Sequence, residues 1–465
     1  MITISNTISL QKEPVRARKG KTINLFVCGP TVYDFSHIGH ARTYIAFDVI
    51  AKYLNFSGFR VFYLQNITDI DDKIIQRAKE SEESPKTLAR RFETEYYKDI
   101  KALGVNSVTT YARATDYIPQ IISQVERLLE KGFAYEAEDG IYFDVKKFSG
   151  YGKLSGRTYE QAQDAVSRID ESVKKRNKGD FALWKVSKAD EPSWKSPWGM
   201  GRPGWHIEDT AITEHYFGPQ YDIHGGARDL IFPHHEAEIA QMEAVSGKEP
   251  LVRYWLHTGF LNVRGEKMSK SLGNFITIRN FLEKHSSRFL RFFVLKSHYR
   301  SPIDYNDDAM VQTDRELDRI DEFIERLRSI AVKGSATPKL SQVLKTKRKE
   351  FFDAMDDDFN TPLAIAKIFE LISEVNRLAD SLAFTKQDSK SIFAFLKEID
   401  VFLGFIFIGK KKSEAVPKEI EELAFQREEF RKKQDWQKAD EVRQAIEKKG
   451  WVITDTSLGP KFKKI

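Results

Sequence analysis

The chain has 465 residues, 41% of them hydrophobic, which is enough to bury a sizeable core and predicts roughly three domains. A net charge of only +6 excludes a histone-like polycation, a single cysteine excludes an internal disulfide, and no apolar run is long enough to span a membrane. We therefore expect a cytoplasmic protein. The stretch from Lys410 to Ile465 holds 15 Lys and Arg against 11 Asp and Glu, which favours a phosphate-rich partner near the C-terminus.

The N-terminal part predicts a βαβ unit. Strands are expected at 23–27 and 60–64, and Ala46, Ile50 and Leu54 recur at one-turn spacing on a helix between them. The string His37-Ile38-Gly39-His40 stands where this helix begins. Since a helix N-terminus offers unpaired N–H groups, Gly39 and the two imidazoles predict a phosphate site. An ordinary capped helix start is the alternative.

Between Val105 and Pro203 the pattern changes to an amphipathic helix, starting near Ile118, and a hairpin around Asp139-Gly140. The nucleotide fold resumes at Tyr221–His224 and continues in a helix after Pro233. It closes at Lys267-Met268-Ser269-Lys270-Ser271, where two ammonium groups on a loop are suited to holding transferred phosphates. A solvated basic loop is the alternative for this string.

The C-terminal part predicts helices. Leu317, Ile320 and Leu327 share one helical face, and Asp356-Asp357-Asp358 predicts an exposed helix start or cap, with an acidic metal site as a weaker alternative. The predicted class is therefore α/β, a Rossmann-like parallel-sheet nucleotide fold with an inserted connective domain, followed by an all-α helical bundle and a small C-terminal domain. The expected segments are the two halves of the nucleotide fold at 1–104 and 204–303, the insertion at 105–203, the bundle at 304–409 and the C-terminal segment at 410–465.

A metal site is predicted from Cys28, His234 and Glu238. Cys28 ends the first parallel strand, where open α/β sheets bind ligands, and His234 and Glu238 stand one helical turn apart. Sulfur, nitrogen and oxygen donors together suit zinc, and three protein ligands with an open position are typical of a catalytic site. For Cys28 the alternative is a small buried apolar residue.

Several longer strings surround these residues. They are Cys28-Gly29-Pro30-Thr31-Val32-Tyr33-Asp34, Asn66-Ile67-Thr68-Asp69-Ile70-Asp71-Asp72, Gly204-Trp205-His206-Ile207-Glu208 and Phe232-Pro233-His234-His235-Glu236. With the paired histidines and the lysine loop, they make nearly the whole chain resemble the class I aminoacyl-tRNA synthetases, and among them the cysteine-specific members. The resemblance implies ATP-dependent ligation of L-cysteine to tRNA-Cys through a cysteinyl-adenylate, with one Zn²⁺ per chain and Mg²⁺ bound with ATP.

The expected site residues follow from the motifs and the resemblance. Catalysis is assigned to His37, His40, Lys267 and Lys270; ATP binding to these four with Gly39, Gly225, Gly226, Asp229 and Ser269; the amino-acid pocket to Gly29, Thr68, Trp205 and His206; and anticodon contacts to Arg431, Trp436, Asp440 and Asp455. A helix cap is the alternative for Asp229, and a packed amphipathic helix is the alternative for the anticodon residues.

Position 209 departs from the family pattern. Most relatives carry a second cysteine after Trp-His-Ile-Glu, whereas this chain has Asp209. A carboxylate oxygen can also bind zinc, so the expected ligands are Cys28, Asp209, His234 and Glu238. The alternative is that Asp209 only hydrogen-bonds a ligating histidine.

The expected metal explains the choice of substrate. An apolar pocket discriminates between small substrates of similar shape by a factor of only about 10 to 200. Serine differs from cysteine by one atom, so such a pocket would not be enough. Zinc can bind the substrate thiol as a thiolate, which a serine hydroxyl cannot imitate at neutral pH.

Two rival functions stay open at this stage. A cysteine ligase acting on a small-molecule amine would not need the C-terminal RNA-reading segment, and a non-catalytic tRNA-binding paralogue would have lost the paired histidines or the lysine loop. A monomer is favoured, with the oligomeric state left open.

Overall fold

The computed structural model describes residues 1–157, 161, 174–268, 272–381, 384–407, 417–456 and 459–464. In chain order, its strands are β1 (Thr3–Asn6), β2 (Gln11–Pro14), β3 (Thr22–Val27), β4 (Arg60–Ile67), β5 (Thr110–Arg113), β6 (Ala134–Ala137), β7 (Gly140–Phe143), β8 (Phe181–Val186), β9 (Trp194–Ser196), β10 (Gly199–Pro203), β11 (Tyr221–Ala227), β12 (Val252–Thr258), β13 (Leu261–Val263), β14 (Glu266–Lys267), β15 (Ile303–Tyr305), β16 (Trp451–Thr456) and β17 (Gly459–Lys464). Its helices are α1 (Ile38–Phe56), α2 (Asp72–Glu80), α3 (Pro85–Ala102), α4 (Ile118–Glu130), α5 (Ile207–Phe217), α6 (Glu236–Ser246), α7 (Ile278–Lys284), α8 (Ser287–Leu295), α9 (Asp307–Ser329), α10 (Pro338–Asp356), α11 (Thr361–Ser381), α12 (Lys386–Leu403), α13 (Lys418–Lys432) and α14 (Trp436–Lys448).

A five-stranded parallel sheet forms the centre of the molecule. Its strand order is β12-β11-β3-β4-β5, and every neighbouring pair runs parallel. The chain passes from β3 to β4 on one side, whereas β11, which follows the insertion, lies on the other side of β3. The strand order therefore reverses at β3, and open α/β sheets bind ligands beside such a reversal, at the carboxyl ends of the strands. The predicted α/β class is confirmed.

The side chains of β3 alternate between two apolar layers. Ile23, Leu25 and Val27 pack into the layer that contains α1, α8 and helices α9 to α12. Phe26 and Cys28 belong to the opposite layer, which α4, α5, α6 and the insertion complete. This alternation directs the thiol of Cys28 towards α5 and α6.

The insertion carries its own sheet. Its strands are antiparallel in the order β6-β7-β8-β10-β9, and the hairpin predicted around Asp139-Gly140 is the β6–β7 turn. Helix α4 begins at Ile118, as its apolar spacing predicts. The insertion thus covers one face of the parallel sheet and continues its apolar layer.

Helices α9 to α12 pack against the nucleotide fold. Asp48, in the middle of α1, pairs with Arg291 of α8, and Arg291 also donates from Nε to the carbonyl oxygen of Leu403 at the end of α12 (2.5 Å). Helices α13 and α14 form a separate small apolar cluster with β16 and β17. Across the described residues, no helix has both the length and the apolar character needed to cross a bilayer.

Candidate active site

His37 is the N-cap of α1, and its ring is held by the helix itself. Its Nδ1 atom accepts hydrogen bonds from the backbone N–H groups of Gly39 (3.1 Å) and His40 (3.3 Å), and the Nδ1 atom of His40 accepts from the N–H of His37 (3.4 Å). The two rings stack with centroids 3.8 Å apart. Because both Nδ1 atoms accept, each neutral ring carries its proton on Nε2, which makes Nε2 the donor.

Desolvation also fixes the charge of His40. It lowers the pKa of His40 well below its ordinary value, and the neighbouring His37 adds to the shift. His40 is therefore a neutral donor at physiological pH. Two Nε2–H donors at a helix N-terminus suit an anionic phosphate group.

The lysine loop lies against this helix start. The N–H of Ile38 donates to the carbonyl oxygen of Ile276 (3.1 Å), and a Cβ atom at Gly39 would lie 3.5 Å from Cε of Met268. Lys267 is exposed on β14, with its Nζ atom 5.5 Å from the ring centroid of Phe260. The structure therefore brings Met268, which follows Lys267 in the chain, to the start of the helix that carries the paired histidines.

Two residues assigned to this loop, Ser269 and Lys270, lie outside the described residues. Their assignment stays a prediction.

The four expected metal ligands come together in the layer above the sheet. Donor atoms of Cys28, Asp209, His234 and Glu238 all lie within 4.8 Å of one another, and all four residues are buried. His234 Nε2 is 3.0 Å from Asp209 Oδ2 and 3.0 Å from Glu238 Oε1. The Oδ1 atom of Asp209 is buried and has no hydrogen-bond partner among the described residues. Such an atom is what a cation in this cluster would satisfy.

The electrostatics of the cluster also favour a cation. Burial, followed by the charges of Glu238 and Asp209, raises the pKa of the Cys28 thiol. Burial likewise raises the pKa of Glu238 to about 8, although His234 opposes that shift. Burial alone would lower the pKa of His234, but Glu238 and Asp209 raise it to about 10. The anionic forms of the thiol and of Glu238 are therefore disfavoured here unless a protonated His234 or a metal ion balances their charge.

The sequence analysis did not identify His224 and His235 as possible ligands. Their Nε2 atoms lie 3.4 Å and 3.1 Å from Cys28 Sγ, and with Glu238 they form a second compact group of donors. Burial lowers the pKa of both rings well below the ordinary value, so both are neutral. His235 could have been suggested from the sequence, because it adjoins the predicted ligand His234. His224 could not, because only the pairing of β11 with β3 brings it to Cys28.

The expected amino-acid pocket surrounds the same cluster. The Trp205 ring stacks on His234 with centroids 4.4 Å apart, and His206 Nδ1 lies 2.8 Å from His234 Nδ1. A Cβ atom at Gly29 would lie 1.7 Å from the carbonyl oxygen of Asn66, so only glycine fits there. The structure therefore groups these pocket residues with the ligand cluster.

Thr68, the fourth pocket residue, donates its hydroxyl proton to Glu208. Burial, together with the neighbouring Asp209, raises the pKa of Glu208 well above its ordinary value. Glu208 is a second residue that the sequence analysis had not placed in the site.

The residues assigned to adenosine have packing roles of their own. A Cβ atom at Gly225 would lie 2.2 Å from the ring of Phe47, and one at Gly226 would lie 2.8 Å from the ring of His235. Both glycines therefore allow close packing of the protein, whatever they contribute to ligand binding. Asp229 is exposed in the short turn at Arg228–Leu230.

The residues assigned to the anticodon lie on the C-terminal unit. Trp436 begins α14 and is 60% exposed, which argues against a role as a packed core residue. Asp440 is exposed on the same helix, and Arg431 pairs with Glu428 (2.8 Å) on α13. Asp455 lies in β16.

The fold is that of the class I tRNA synthetases. Methionyl-tRNA synthetase from Mycobacterium tuberculosis, solved with methionyl-adenylate, matches 82% of this chain and 90% of its own length with a TM-score of 0.63 at 17% sequence identity. A leucyl enzyme from Agrobacterium radiobacter, solved as the LeuRS-tRNA-LeuAMS ternary complex, gives a TM-score of 0.60 at 12% identity over 84% of this chain and 85% of its own. The family model described as the tRNA synthetases class I (C) catalytic domain matches residues 14–315, and the DALR domain model matches residues 350–407.

Relatives over the full length are closer still. A cysteine–tRNA ligase from Thermococcus onnurineus is 46% identical, covering all of this chain and 99% of the relative. Those from Thermoplasma volcanium and Carboxydothermus hydrogenoformans are 45% and 43% identical, covering 97% and 99% of this chain and 97% and 100% of the relatives. The chain belongs to the cysteine–tRNA ligase family.

Proposed function

We propose that this chain uses ATP to activate L-cysteine as cysteinyl-adenylate and transfers the cysteinyl group to tRNA-Cys. The observation that carries the proposal is the buried cluster around Cys28, which lies at the strand-order reversal beside the His37–His40 helix start. A sulfur-selecting site and a phosphate-binding site thus adjoin the same strand end. Full-length similarity to cysteine–tRNA ligases supports the same reaction.

The first step needs positioning more than proton transfer. The carboxylate of cysteine is ionised at neutral pH and attacks the α-phosphorus of ATP, and the bond to pyrophosphate breaks. In the proposed roles, His37 and His40 donate from Nε2 to the phosphates, and Lys267 and Lys270 hold the departing pyrophosphate. Gly39 allows close approach of the phosphates, Ser269 lies on the same lysine loop, and Mg²⁺ accompanies ATP. Gly225, Gly226 and Asp229 are proposed to border adenosine.

The residues present fit a metal ion. The proposed ligands are Cys28, Asp209, His234 and Glu238. The buried Oδ1 atom of Asp209, which has no hydrogen-bond partner among the described residues, supports this set, and so does the crowding of a thiol and two carboxyl groups whose charged forms need a cation beside them. Zinc suits this mixture of sulfur, nitrogen and oxygen donors. A zinc ion bound here would supply a sulfur-preferring position for the thiolate of the substrate, with Trp205 and His206 packed beside it.

The second step requires an extended surface that binds the tRNA. The terminal ribose hydroxyl of the tRNA attacks the carbonyl carbon of the adenylate, and AMP leaves. We assign binding of the acceptor end of the tRNA to the insertion at 105–203. Binding of the anticodon is assigned to Arg431, Trp436, Asp440 and Asp455. An exposed tryptophan beside an arginine suits stacking with single-stranded bases.

A two-stage assay tests this function. ATP–pyrophosphate exchange without tRNA should depend on L-cysteine and should not respond to L-serine. Aminoacylation should then label tRNA-Cys, and a tRNA with another anticodon serves as the matched control. Transfer of cysteine to a small-molecule amine but not to tRNA would favour the rival ligase, and absence of exchange would contradict the whole proposal.

A further inference from the structure

Arg42 carries a buried charge without an acidic partner. It lies in α1, two residues after His40, and is only 2% exposed. Burial lowers the pKa of its guanidinium to about 10, so the group stays charged at physiological pH. Within the described part of the chain, Arg42 forms no ion pair with a carboxylate. Hydrogen bonds must therefore compensate for the loss of water around this charge.

Backbone carbonyl groups of two separate segments provide these hydrogen bonds. The Nη1 atom of Arg42 donates to the carbonyl oxygen of Phe260 (2.8 Å), directly before β13. Its Nη2 atom donates to the carbonyl oxygens of Tyr299 (3.1 Å) and Ser301, which lie in the turn between α8 and β15. Because the guanidinium is a rigid planar fork, it fixes both segments in distance and orientation relative to α1.

The turn between α8 and β15 is itself held on both sides. The N–H of Gly259 donates to the carbonyl oxygen of Tyr299 (2.8 Å), and a Cβ atom at Gly259 would lie 2.5 Å from the carbonyl oxygen of Ser301. On the side of the helical bundle, Asp358 accepts from the hydroxyl of Tyr299 and from Nε of Arg300, each at 2.8 Å. Arg42 is therefore attached to a firmly held part of the molecule.

Phe260 connects Arg42 to the hairpin that carries Lys267. Strand β13 follows Phe260 directly and pairs with β14, where Asn262 is the partner of Lys267 in the register. The Nζ atom of Lys267 lies 5.5 Å from the centroid of the Phe260 ring. On the other side, Arg42 and His40 belong to the same helix. The bond from Arg42 to Phe260 thus joins the two groups that are assigned to the phosphates.

We propose that Arg42 is a positioning residue that holds the base of this hairpin at a fixed distance from the paired histidines, an inference that rests on the proposed function. The departing pyrophosphate has to meet donors from α1 and the ammonium group of Lys267 at the same time. A misplacement of about 1 Å in such an arrangement can lower the rate by about 100-fold. Transfer of the cysteinyl group to tRNA follows after pyrophosphate has left, so this second step should not depend on Arg42.

The experiment measures the two steps separately in the full-length protein. Arg42→Met removes the guanidinium and keeps an unbranched side chain. It should lower kcat for ATP–pyrophosphate exchange by about 100-fold and leave the KM values for ATP and L-cysteine unchanged, as expected for a loss in the transition state alone. Transfer from the isolated enzyme–adenylate complex to tRNA-Cys, followed in a single turnover, should keep the wild-type rate.

A second variant perturbs the same contact without changing α1. Gly259→Ala places a methyl group against the carbonyl oxygen of Ser301 and should displace the base of the hairpin. We expect the same result, a lower exchange rate with an unchanged transfer rate. Arg42→Lys keeps the charge and one donor, so it should lose less exchange activity than Arg42→Met. If urea titration shows that Arg42→Met is unfolded, these two variants provide the test.

Two controls distinguish positioning from folding. Arg288 on α8 is also buried and donates from Nε to the carbonyl oxygen of Phe405 (2.6 Å), so Arg288→Lys should lower stability and keep both rates. The second control is a double substitution. Once Lys267→Ala has removed the ammonium group, adding Arg42→Met should lower kcat much less than it does in the wild type, because both changes act through the same hairpin.

Each contrary result has a distinct meaning. Equal losses of exchange and transfer in Arg42→Met and Gly259→Ala would overturn the inference, because the contacts would then only support the fold. Unchanged exchange in both variants would overturn it as well, and so would an undiminished effect of Arg42→Met in the Lys267→Ala protein. A wild-type protein without cysteine-dependent exchange would instead contradict the proposed function, and the inference with it.

Discussion

Replacing Asp209 by asparagine tests whether this residue is a metal ligand or only orients one. The substitution keeps the volume of the side chain and removes its charge. In the structure, Asp209 Oδ2 lies 3.0 Å from His234 Nε2, while Oδ1 is buried with no hydrogen-bond partner among the described residues. An aspartate that only oriented His234 would leave Oδ1 without a function. We therefore expect Asp209 to contribute an oxygen to the ion.

The size of the effect distinguishes the two roles. Loss of a residue that only orients a ligating histidine lowers metal affinity by about 10- to 100-fold. Loss of a charged ligand also removes a metal–oxygen bond, so we expect Asp209→Asn to lower zinc affinity by more than about 100-fold, or more than about 2.7 kcal/mol. Asp209→Cys supplies a thiolate in place of the carboxylate and should retain one ion per chain.

Zinc affinity is measured by competition with a chromogenic chelator, and metal content by elemental analysis. The matched control is Asp180→Asn, since Asp180 is fully buried in the insertion and accepts a hydrogen bond from the Tyr135 hydroxyl (2.7 Å). The control is expected to lower stability and to keep its metal. A decrease in the affinity of Asp209→Asn of about 100-fold or less would refute the reasoning and assign Asp209 to orienting His234.

Three further substitutions test other parts of the structure. His37→Asn should keep the helix cap and unfold in urea near the wild-type midpoint, yet lower the pyrophosphate-exchange rate by about 100-fold, whereas His37→Ala should also lose about 0.5–2 kcal/mol of stability. Burial would raise the pKa of Asp48, but Arg291 and Lys52 lower it below its ordinary value, so the ion pair stabilises the fold at neutral pH and loses that contribution as the pH falls through the lowered pKa. Asp48→Asn should lower the free energy of unfolding by about 3–5 kcal/mol at pH 7, with a smaller difference from wild type in acid, as urea titrations at both pH values will show. Trp436→Ala should leave exchange unchanged and raise the KM for tRNA by about 5- to 150-fold, as expected for one lost stacking contact.

Local patterns in the sequence were sufficient for the centre of the fold. The strand expected at 23–27 is β3, the helix after the paired histidines is α1, and the strand expected at 60–64 is β4, which extends to Ile67. These elements follow from apolar periodicity and cap residues, which depend on near neighbours in the chain. The grouping of Cys28 with His234 could also be predicted, because both were assigned to the ligand-binding edge of a parallel sheet.

Contacts between distant parts of the chain could not be predicted in the same way. His224 approaches Cys28 only because β11 pairs with β3, and Glu208 meets Thr68 only because α5 packs over β4. The prediction of an exposed helix start or cap at Asp356-Asp357-Asp358 was wrong about the helix start, because Asp356 is the last residue of α10 and Asp357 is its C-cap. It was also wrong about the exposure of the third residue. Asp358 is 1% exposed and accepts hydrogen bonds from the backbone of Ser5 and the hydroxyl of Tyr299, each at 2.8 Å.

The proposed assignments together explain how the site would distinguish the two enantiomers of its substrate. Cys28 follows β3, His37 caps the next helix, and Thr68 follows β4, so three neighbouring elements would each hold a different group of cysteine. The thiol would lie at the ligand cluster, the carboxylate would face the phosphates near His37, and the ammonium group would face the pocket wall that follows β4. Three fixed substituents determine the configuration of the carbon that joins them. In D-cysteine, with its thiol and carboxylate so held, the ammonium group and the hydrogen on this carbon would exchange places, and the contacts that favour the L enantiomer would be lost.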